Sequence, residues 1–391
     1  MAEVQKVVPP GGEEELRNAP PWASWLPTVR MTLLSILVAL FFGAILIAIS
    51  DPRVVDAGSV GAALKGVVQA VGGSYWALLT GAVGSWDAIG DTLVKSAPLI
   101  CAGLGVTLAF RAGLFNIGAQ GQLVLGAIFA GYVGFAMDLP PGLHLLIAIL
   151  AACLGGALWG AIPGVLKART GAHEVITTIM LNYIAASLLL YLLSNADAFK
   201  RAGQLNPRSE PVDKSATFPT LFGVHSGVLL AVVAAVVVWW LLERTTLGFQ
   251  LKAAGANPDA ARTAGMNVPR LYLLAMVFAG LLAGLGSAMP VLGQNLSLTT
   301  SFAGSLGFDA ITVALLGRAT PLGTVLAGLL FGALNAGGVQ MQAAQGTPIQ
   351  LTEVIQALIV LFVAAPAAVR GLLHLKGKAQ NTTMAAKGWG S

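Results

Sequence analysis

The chain has 391 residues, of which 56% are hydrophobic and only 10% are charged. A water-soluble globular domain carries about 25% charged residues, so this composition excludes an ordinary soluble protein. The mean hydropathy of +0.79 and repeated long apolar runs indicate helices that cross a hydrocarbon core about 30 Å thick. The net charge of +5 comes from basic residues spread over loops, so it does not indicate a nucleic-acid partner.

Metal and redox sites have no sequence signature here. Cys101 and Cys153 both fall inside apolar runs, which indicates small core residues rather than a disulfide or a metal site. The four histidines are scattered without the spacing of metal ligands. We therefore expect neither a metal ion nor a cofactor.

In chain order, the polar and Pro-rich residues 1–30 predict a disordered cytoplasmic tail rather than a cleavable signal peptide. Residues 51–92 are moderately apolar and contain Tyr75, Trp76 and Trp86, which is typical of an interfacial helix. Ten candidate spans make up a predicted all-α bundle over residues 31–370: Met31–Ile49, Leu93–Phe110, Ala112–Gly134, Gly142–Leu166, Val175–Ser194, Val224–Leu242, Leu271–Leu292, Ser305–Leu316, Leu322–Met341 and Leu351–Val369.

The eighth span, Ser305–Leu316, is too short to cross a membrane as a straight helix, so we expect a broken helix or one half-buried in protein. Residues 371–391 predict a second cytoplasmic tail. Ten spans put both termini on one side, and about two thirds of the 22 Lys and Arg residues fall in the segments on that side. The positive-inside rule therefore predicts cytoplasmic termini.

On this topology the polar segment Leu247–Pro269 faces the cytoplasm. Asn257 suits an N-cap, Pro258 the first helical position and Gly265 the left-handed residue that ends a helix. These signals predict a helix over residues 258–264, with the acidic Asp259 against the positive end of its dipole. Such a helix is either a docking point for a soluble partner or an ordinary capped helix in a cytoplasmic loop.

The junction Arg111–Gln122, RAGLFNIGAQGQ, places glycines and amides between two apolar runs. Irregular backbone at such a depth is tolerated where it is buried in protein or lines a cavity. Asn116, Gln120 and Gln122 therefore serve either in hydrogen bonds between helices or in lining a polar path.

Few other polar groups fall inside the spans. Asn182 lies in the fifth span and Asp309 in the eighth, while Glu174 and Glu353 lie near span ends. Because ionisable groups in a span are costly, they are candidates for function. We predict a central polar route formed by four residues: Asn116, Gln120, Asn182 and Asp309.

No G-x-x-x-x-G-K-[ST] loop and no Ser/His/Asp, Cys-x-x-Cys or H-E-x-x-H pattern occurs in the sequence. We therefore expect a transport protein rather than an enzyme, and one that does not bind ATP by itself. An ion-coupled secondary transporter using Asp309 and Glu353 is an alternative, and so is a structural scaffold.

Three segments together resemble a known family. They read RAGLFNIGAQGQ, HEVITTIMLNYIAASLL and LKAAGANPDAARTAGMNVPRLYLLAMVFAGLLAGLGSAM. They are similar to the permease subunits of bacterial ATP-binding cassette (ABC) importers, in the branch for nucleosides and simple sugars that is related to ribose and branched-chain amino-acid permeases. The first segment resembles that branch's FNIG-x-[EQ]-GQ signature, with Gln120 where Glu is commoner.

The resemblance covers residues 98–369 and implies a fold of the type II importer kind in a bacterial plasma membrane. It implies an ATPase subunit, a second permease subunit that makes a heterodimer, and an extracytoplasmic substrate-binding lipoprotein. A branched-chain amino-acid permease is the nearest alternative. Six residues match the family's cytoplasmic coupling loop, here 245–269, which docks on the ATPase: Gly255, Asn257, Pro258, Ala260, Ala261 and Gly265.

Overall fold

The fold comes from a computed structural model that describes residues 26–199, 206–221 and 223–373. Most of the two predicted tails, residues 1–25 and 374–391, lies outside the described residues. The first helix of the described residues begins at Leu26, earlier than the predicted span that starts at Met31.

Fifteen α-helices follow one another in the described residues. They are α1 (Leu26–Ser50), α2 (Pro52–Val55), α3 (Val60–Val83), α4 (Trp86–Arg111), α5 (Ala119–Ala136), α6 (Leu143–Thr170), α7 (Glu174–Asn195), α8 (Gly227–Arg244), α9 (Thr246–Ala256), α10 (Pro258–Thr263), α11 (Val268–Met289), α12 (Leu306–Leu316), α13 (Pro321–Gln345), α14 (Ile349–Ala364) and α15 (Pro366–Leu372). Two short antiparallel strands, β1 (Thr220–Leu221) and β2 (Val224–His225), pair Thr220 with His225 and Leu221 with Val224.

Eight of the described helices are long and apolar enough to cross a membrane: α1, α4, α5, α6, α7, α8, α11 and α13. Two shorter apolar segments, 300–316 and α14, coincide with the remaining predicted spans. The prediction of an all-α polytopic bundle is therefore confirmed.

Helices α6 and α11 pack against each other through small residues. A Cβ on Gly280 would collide with the carbonyl oxygen of Gly156, and a Cβ on Gly284 with that of Ala152. Helices in a membrane lack a hydrophobic drive toward one another, so backbones that approach this closely gain the contacts that hold them together.

The third predicted span begins later than expected. Residues 112–118 form a turn, in which Gly113 has a φ of 76°, and helix α5 starts only at Ala119. Gly113 adopts this left-handed conformation without the steric cost that a Cβ would add. The apolar run continued across the turn, so hydropathy alone did not show it.

The predicted interfacial region becomes two helices, α2 and α3. Ala70, Ser74 and Ala77 lie on a buried face of α3, and the Tyr75 hydroxyl donates to the carbonyl oxygen of Leu40. Trp76, on the other side, is exposed. Helix α3 is therefore anchored to the bundle, and its place relative to the membrane stays a prediction.

The chain between α11 and α12 is irregular, whereas the short eighth span is a continuous helix, α12, with one face buried in the bundle as the half-buried alternative predicted. A π-helical turn (Pro290–Asn295) is followed by Leu296 with a φ of 51°, and α12 has only 11 residues. The α7–α8 connection holds this stretch through backbone hydrogen bonds from Ser209 N to Leu298 O (3.0 Å) and from Val212 N to Leu296 O (2.8 Å). Buried backbone groups that leave a helix need such partners.

Candidate functional site

The predicted capped helix is present as α10. The Asn257 side-chain oxygen accepts hydrogen bonds from the backbone N–H groups of Asp259 and Ala260, each at 3.0 Å. Pro258 occupies the first helical position, and Gly265 has a φ of 81° just after the helix. The cap, the start and the end of this helix are as predicted, and the helix ends within one residue of Ala264.

The two alanines of this helix face opposite sides. Ala260 is exposed, whereas Ala261 is only 3% exposed and packs in a cluster with Leu251 and Val268. Ala261 therefore holds α10 against its own chain, and the docking role implied for the coupling loop stays a prediction. The outward face also carries the ion pair between Arg262 and Asp259 (2.6 Å).

Helix α9 was not predicted, and it carries the contact between this region and the junction at residues 111–122. A Cβ on Gly255 would collide with the carbonyl oxygen of Arg111 and would lie 2.7 Å from the Gly113 nitrogen. A Cβ on Gly113 would in turn lie 2.9 Å from the Gly255 Cα. The backbones of the two segments touch here, and a side chain at either glycine would push them apart.

Two amides form a closed pair inside the junction. The Asn116 oxygen accepts from the Gly118 N–H (3.1 Å), and the Asn116 nitrogen donates to the Gln122 oxygen (3.1 Å). Asn116 is 1% exposed. The pair therefore fixes the turn that leads into α5.

Asn182 and Gln120 connect the junction to two other helices. Asn182 on α7 accepts from the Gly121 N–H (2.8 Å) and donates to the Ile117 carbonyl oxygen (2.9 Å). The Gln120 oxygen accepts from the Gly307 N–H (2.6 Å), and its nitrogen donates to the Phe302 carbonyl oxygen (3.3 Å). Of the two interpretations left open, the structure supports hydrogen bonding between helices for these amides.

A cavity of about 350 Å³ opens between α4, the π-helical turn, α12 and α13. Asp309 lines it, with the Ser305 hydroxyl 3.3 Å from the Asp309 carboxylate. Its other polar lining residues are Lys95, Gln294, Asn295, Ser301, Ser305 and Asn335. Asn116, Gln120 and Asn182 are not lining residues of this cavity, so of the four predicted route residues only Asp309 lies on it.

Sequence reasoning missed Lys95, Gln294, Asn295 and Asn335. Lys95 and Asn335 lie inside long apolar helices, and the other two follow the last apolar turn of α11. Asp309 was identified because it is a polar residue inside an apolar run. The same criterion also identifies Lys95 and Asn335.

The remaining acidic candidates, Glu174 and Glu353, do not line this cavity. The carboxylate of Glu174 pairs with Lys167 at 2.8 Å and joins the end of α6 to the start of α7. Glu353 is an exposed residue of α14. Among the described residues, no group of three or more His, Cys, Asp or Glu side chains is arranged to hold a metal ion.

A family model described as "Branched-chain amino acid transport system / permease component" matches residues 88–364. The chain belongs to this permease family. The matched region begins in α4 and ends with α14, so it contains the junction, the coupling loop and the cavity. The permease is a multi-pass membrane protein and a transport component rather than an enzyme.

The permease is similar to three relatives over most of their length. It is 40% identical over 320 residues to the guanosine ABC transporter permease protein NupP of Bacillus subtilis (strain 168), with 80% of this chain and 91% of the relative covered. It is 36% identical over 357 residues to the glucose ABC transporter permease protein TsgB13 of Haloferax volcanii, with 88% of each covered. It is 34% identical over 326 residues to the nucleoside ABC transporter permease protein NupB of Lactococcus lactis subsp. cremoris, with 80% and 88% covered. The predicted membership in the ABC importer permeases is confirmed.

Proposed function

We propose that this permease carries a nucleoside into the bacterial cytoplasm, driven by ATP hydrolysis on a separate subunit. The observation that carries the proposal is the 40% identity to a guanosine permease protein over four fifths of the chain, supported by a nucleoside permease protein at 34%. A simple sugar is the second candidate, favoured by the 36% identity to a glucose permease protein.

The chemistry of the cavity supports a neutral solute rich in hydroxyl groups. Asp309 accepts hydrogen bonds from hydroxyls, and Gln294, Asn295 and Asn335 both donate and accept. Lys95 lines the same cavity, and its ammonium can donate hydrogen bonds to hydroxyl oxygens. These groups suit sugar hydroxyls and the edges of a base, whereas the aliphatic side chain of leucine would leave them unpaired.

A chain of contacts supports transmission of motion from α10 to the cavity. Helix α10 continues from α9, whose Gly255 touches the backbone at Gly113. The turn that follows leads to Gln120, which holds the Gly307 N–H of α12. Asp309 lies two residues further on, so a push on α10 would reach the helix that carries the cavity carboxylate. Two discrete arrangements of these helices, biased by ATP on one side and solute on the other, are what such coupling requires.

The same proposal includes the partner subunits and the orientation of this chain in the membrane. The exposed face of α10, with Ala260, Asp259 and Arg262, docks in a groove of the ATPase on the cytoplasmic side, and both termini of this chain are cytoplasmic. A second, different permease subunit completes the route. This is supported by two distinct guanosine permease proteins, NupP and NupQ, that bear paired names in one Bacillus subtilis strain. An extracytoplasmic lipoprotein delivers the solute.

The test is reconstitution of this chain with its ATPase, second permease and binding lipoprotein in vesicles. We expect ATP-dependent uptake of labelled guanosine, competition by other nucleosides, and no uptake with a non-hydrolysable ATP analogue. ATP-dependent uptake of glucose without guanosine would select the sugar candidate. Uptake of leucine alone would contradict both candidates.

A further inference from the structure

An aromatic side chain lies among the polar residues of the cavity beside α12. Phe302 is the one aromatic side chain among the described residues that line this cavity, and it belongs to a short helical turn (Thr300–Ala303) that precedes α12. None of the described aromatic rings stacks on Phe302. The π system of this ring therefore has no partner within the described part of the protein.

Phe302 is held through both its backbone and its side chain. Its carbonyl oxygen accepts a hydrogen bond from the Gln120 side chain (3.3 Å), and the same amide accepts one from the Gly307 N–H (2.6 Å). A Cβ on Gly307 would collide with the Gln120 Cα, so the start of α12 touches the start of α5. The ring packs against two clusters of buried residues, one that includes Leu298 and one that includes Leu123. A side chain fixed in this way loses little conformational freedom when a solute binds.

On the proposed topology, the cavity lies toward the extracytoplasmic end of the bundle. Lys95 is in the first half of α4, Asn335 is in the second half of α13, and Ile349 is the first residue of α14. With cytoplasmic termini, α4 and α14 begin at the extracytoplasmic side and α13 ends there. The side chains of Lys95 and Asn335 make no hydrogen bond with a described residue, so both can bind a solute that enters from this side.

We propose that Phe302 stacks on the base of a nucleoside bound in this cavity and thereby sets a preference for a nucleoside over a simple sugar. This inference rests on the proposed function. A nucleobase presents a flat π face, and an aromatic side chain stacks on such a face whichever base carries it. Glucose has no aromatic ring, so it would gain no such stacking. The volume of about 350 Å³ falls in the range of roughly 300–1,000 Å³ that small-molecule sites have.

The experiment is photoaffinity labelling of the reconstituted importer with an azido derivative of guanosine, followed by mass spectrometry of this chain. We expect the label on residues that line the cavity, and we expect excess guanosine but not excess glucose to remove it. Phe302→Leu keeps an apolar side chain but loses the ring, so labelling at low probe concentration should fall about 5-fold. Phe302→Tyr keeps the ring and should retain the labelling. Phe308→Leu is the matched control, because Phe308 is an exposed aromatic residue of α12 that does not line the cavity.

Uptake of labelled guanosine by the same vesicles separates this inference from the proposed function. If the wild type shows ATP-dependent guanosine uptake but Phe302→Leu is labelled as strongly as the wild type, the stacking is overturned and the proposed function stands. ATP-dependent uptake of glucose without guanosine would overturn the nucleoside proposal and the stacking together. If Phe302→Leu does not assemble, the label on the wild type decides. Label only outside the cavity lining would overturn the stacking, and label on the lining that guanosine but not glucose removes would support it.

Discussion

Asn182 illustrates how much of this bundle depends on single side chains. Its amide satisfies two backbone groups of the α5 junction, the N–H of Gly121 and the carbonyl oxygen of Ile117. Asn182→Ala would leave both without a partner, and we expect the free energy of unfolding to fall by about 1–2 kcal/mol. Thermal unfolding of the purified complex measures this. Asn195→Ala is the control on the same helix, since Asn195 is exposed and bonds only to the Tyr191 carbonyl oxygen within its own helix. An equal loss of unfolding free energy in the two variants would contradict the conclusion that the hydrogen bonds of Asn182 hold the junction to α7.

Asp309 is the residue whose change should affect solute recognition most. Asp309→Ala removes a carboxylate from the cavity, and we expect KM for guanosine uptake to rise about 10-fold, the effect of losing one or two hydrogen bonds. Asp309→Asn keeps an acceptor oxygen and should have a smaller effect. Asp138→Ala, at an exposed acid outside the cavity, is the control. An unchanged KM in Asp309→Ala would remove Asp309 from the route.

His225 gives a prediction for pH. It is 5% exposed, stacks on Phe218 with ring centres 5.7 Å apart, and finds no hydrogen-bond partner for either ring nitrogen among the described residues. Burial lowers the pKa of His225 below its usual 6.5, because the charged form loses its hydration. As the pH falls below 6.5, the unfolded chain takes up a proton that the folded chain does not, so stability falls.

We therefore expect the unfolding temperature to decrease between pH 7 and pH 5.5, and to decrease less in His225→Phe. The same pH slope in His225→Phe and in the wild type would show that other groups cause it.

Helix α10 shows why some elements can be predicted from the sequence. Its signals are local: the Asn257 cap acts on residues two and three positions away, and Gly265 needs no tertiary contact to adopt its conformation. Helix α9 and the bond from Gln120 to Gly307 were not predicted. The latter joins residues that are 187 positions apart, and no pattern of spacing encodes such a contact. The buried position of Ala261 depends in the same way on packing against α9 and α11.

Substitution of Gly265 tests whether α10 couples this permease to its ATPase. Val is strained at a φ of 81° because of its branched Cβ, so Gly265→Val should displace the end of α10. We expect ATPase pull-down and solute uptake to fall about 10-fold or more, as for a loss of over 1.4 kcal/mol of docking energy, while membrane insertion persists. Gly265→Asn is the matched variant, because Asn tolerates the left-handed conformation. Ala261→Arg, which would bury a charge beneath α10, should behave like Gly265→Val. Normal uptake in both disruptive variants would contradict the coupling role.

At the scale of the whole molecule, eight of the ten predicted spans correspond to described helices that are long and apolar enough to cross a bilayer, because apolar length can be read directly from the sequence. The glycines and amides of the junction at residues 111–122 indicated irregular backbone, but the exact bounds of the turn and the cavity could not be predicted, because both depend on how α5, α12 and α13 meet. The number of carboxylates inside the membrane also indicates which energy source drives transport. Asp309 is the one acidic lining residue of the described polar cavity, which gives little support to an ion-coupled carrier. In the proposed function, the energy of ATP hydrolysis enters through the exposed face of α10.

The source of that energy is the most direct test of the account. Vesicles that contain the reconstituted importer are loaded with ATP. A protonophore and a sodium ionophore are added to collapse the proton and sodium gradients, and the uptake of labelled guanosine is followed. We predict that uptake continues at the same initial rate and stops when the ATP is replaced by a non-hydrolysable analogue. The conclusion that ATP hydrolysis drives transport would be contradicted if the ionophores abolished uptake. It would also be contradicted if an imposed proton or sodium gradient drove uptake without ATP.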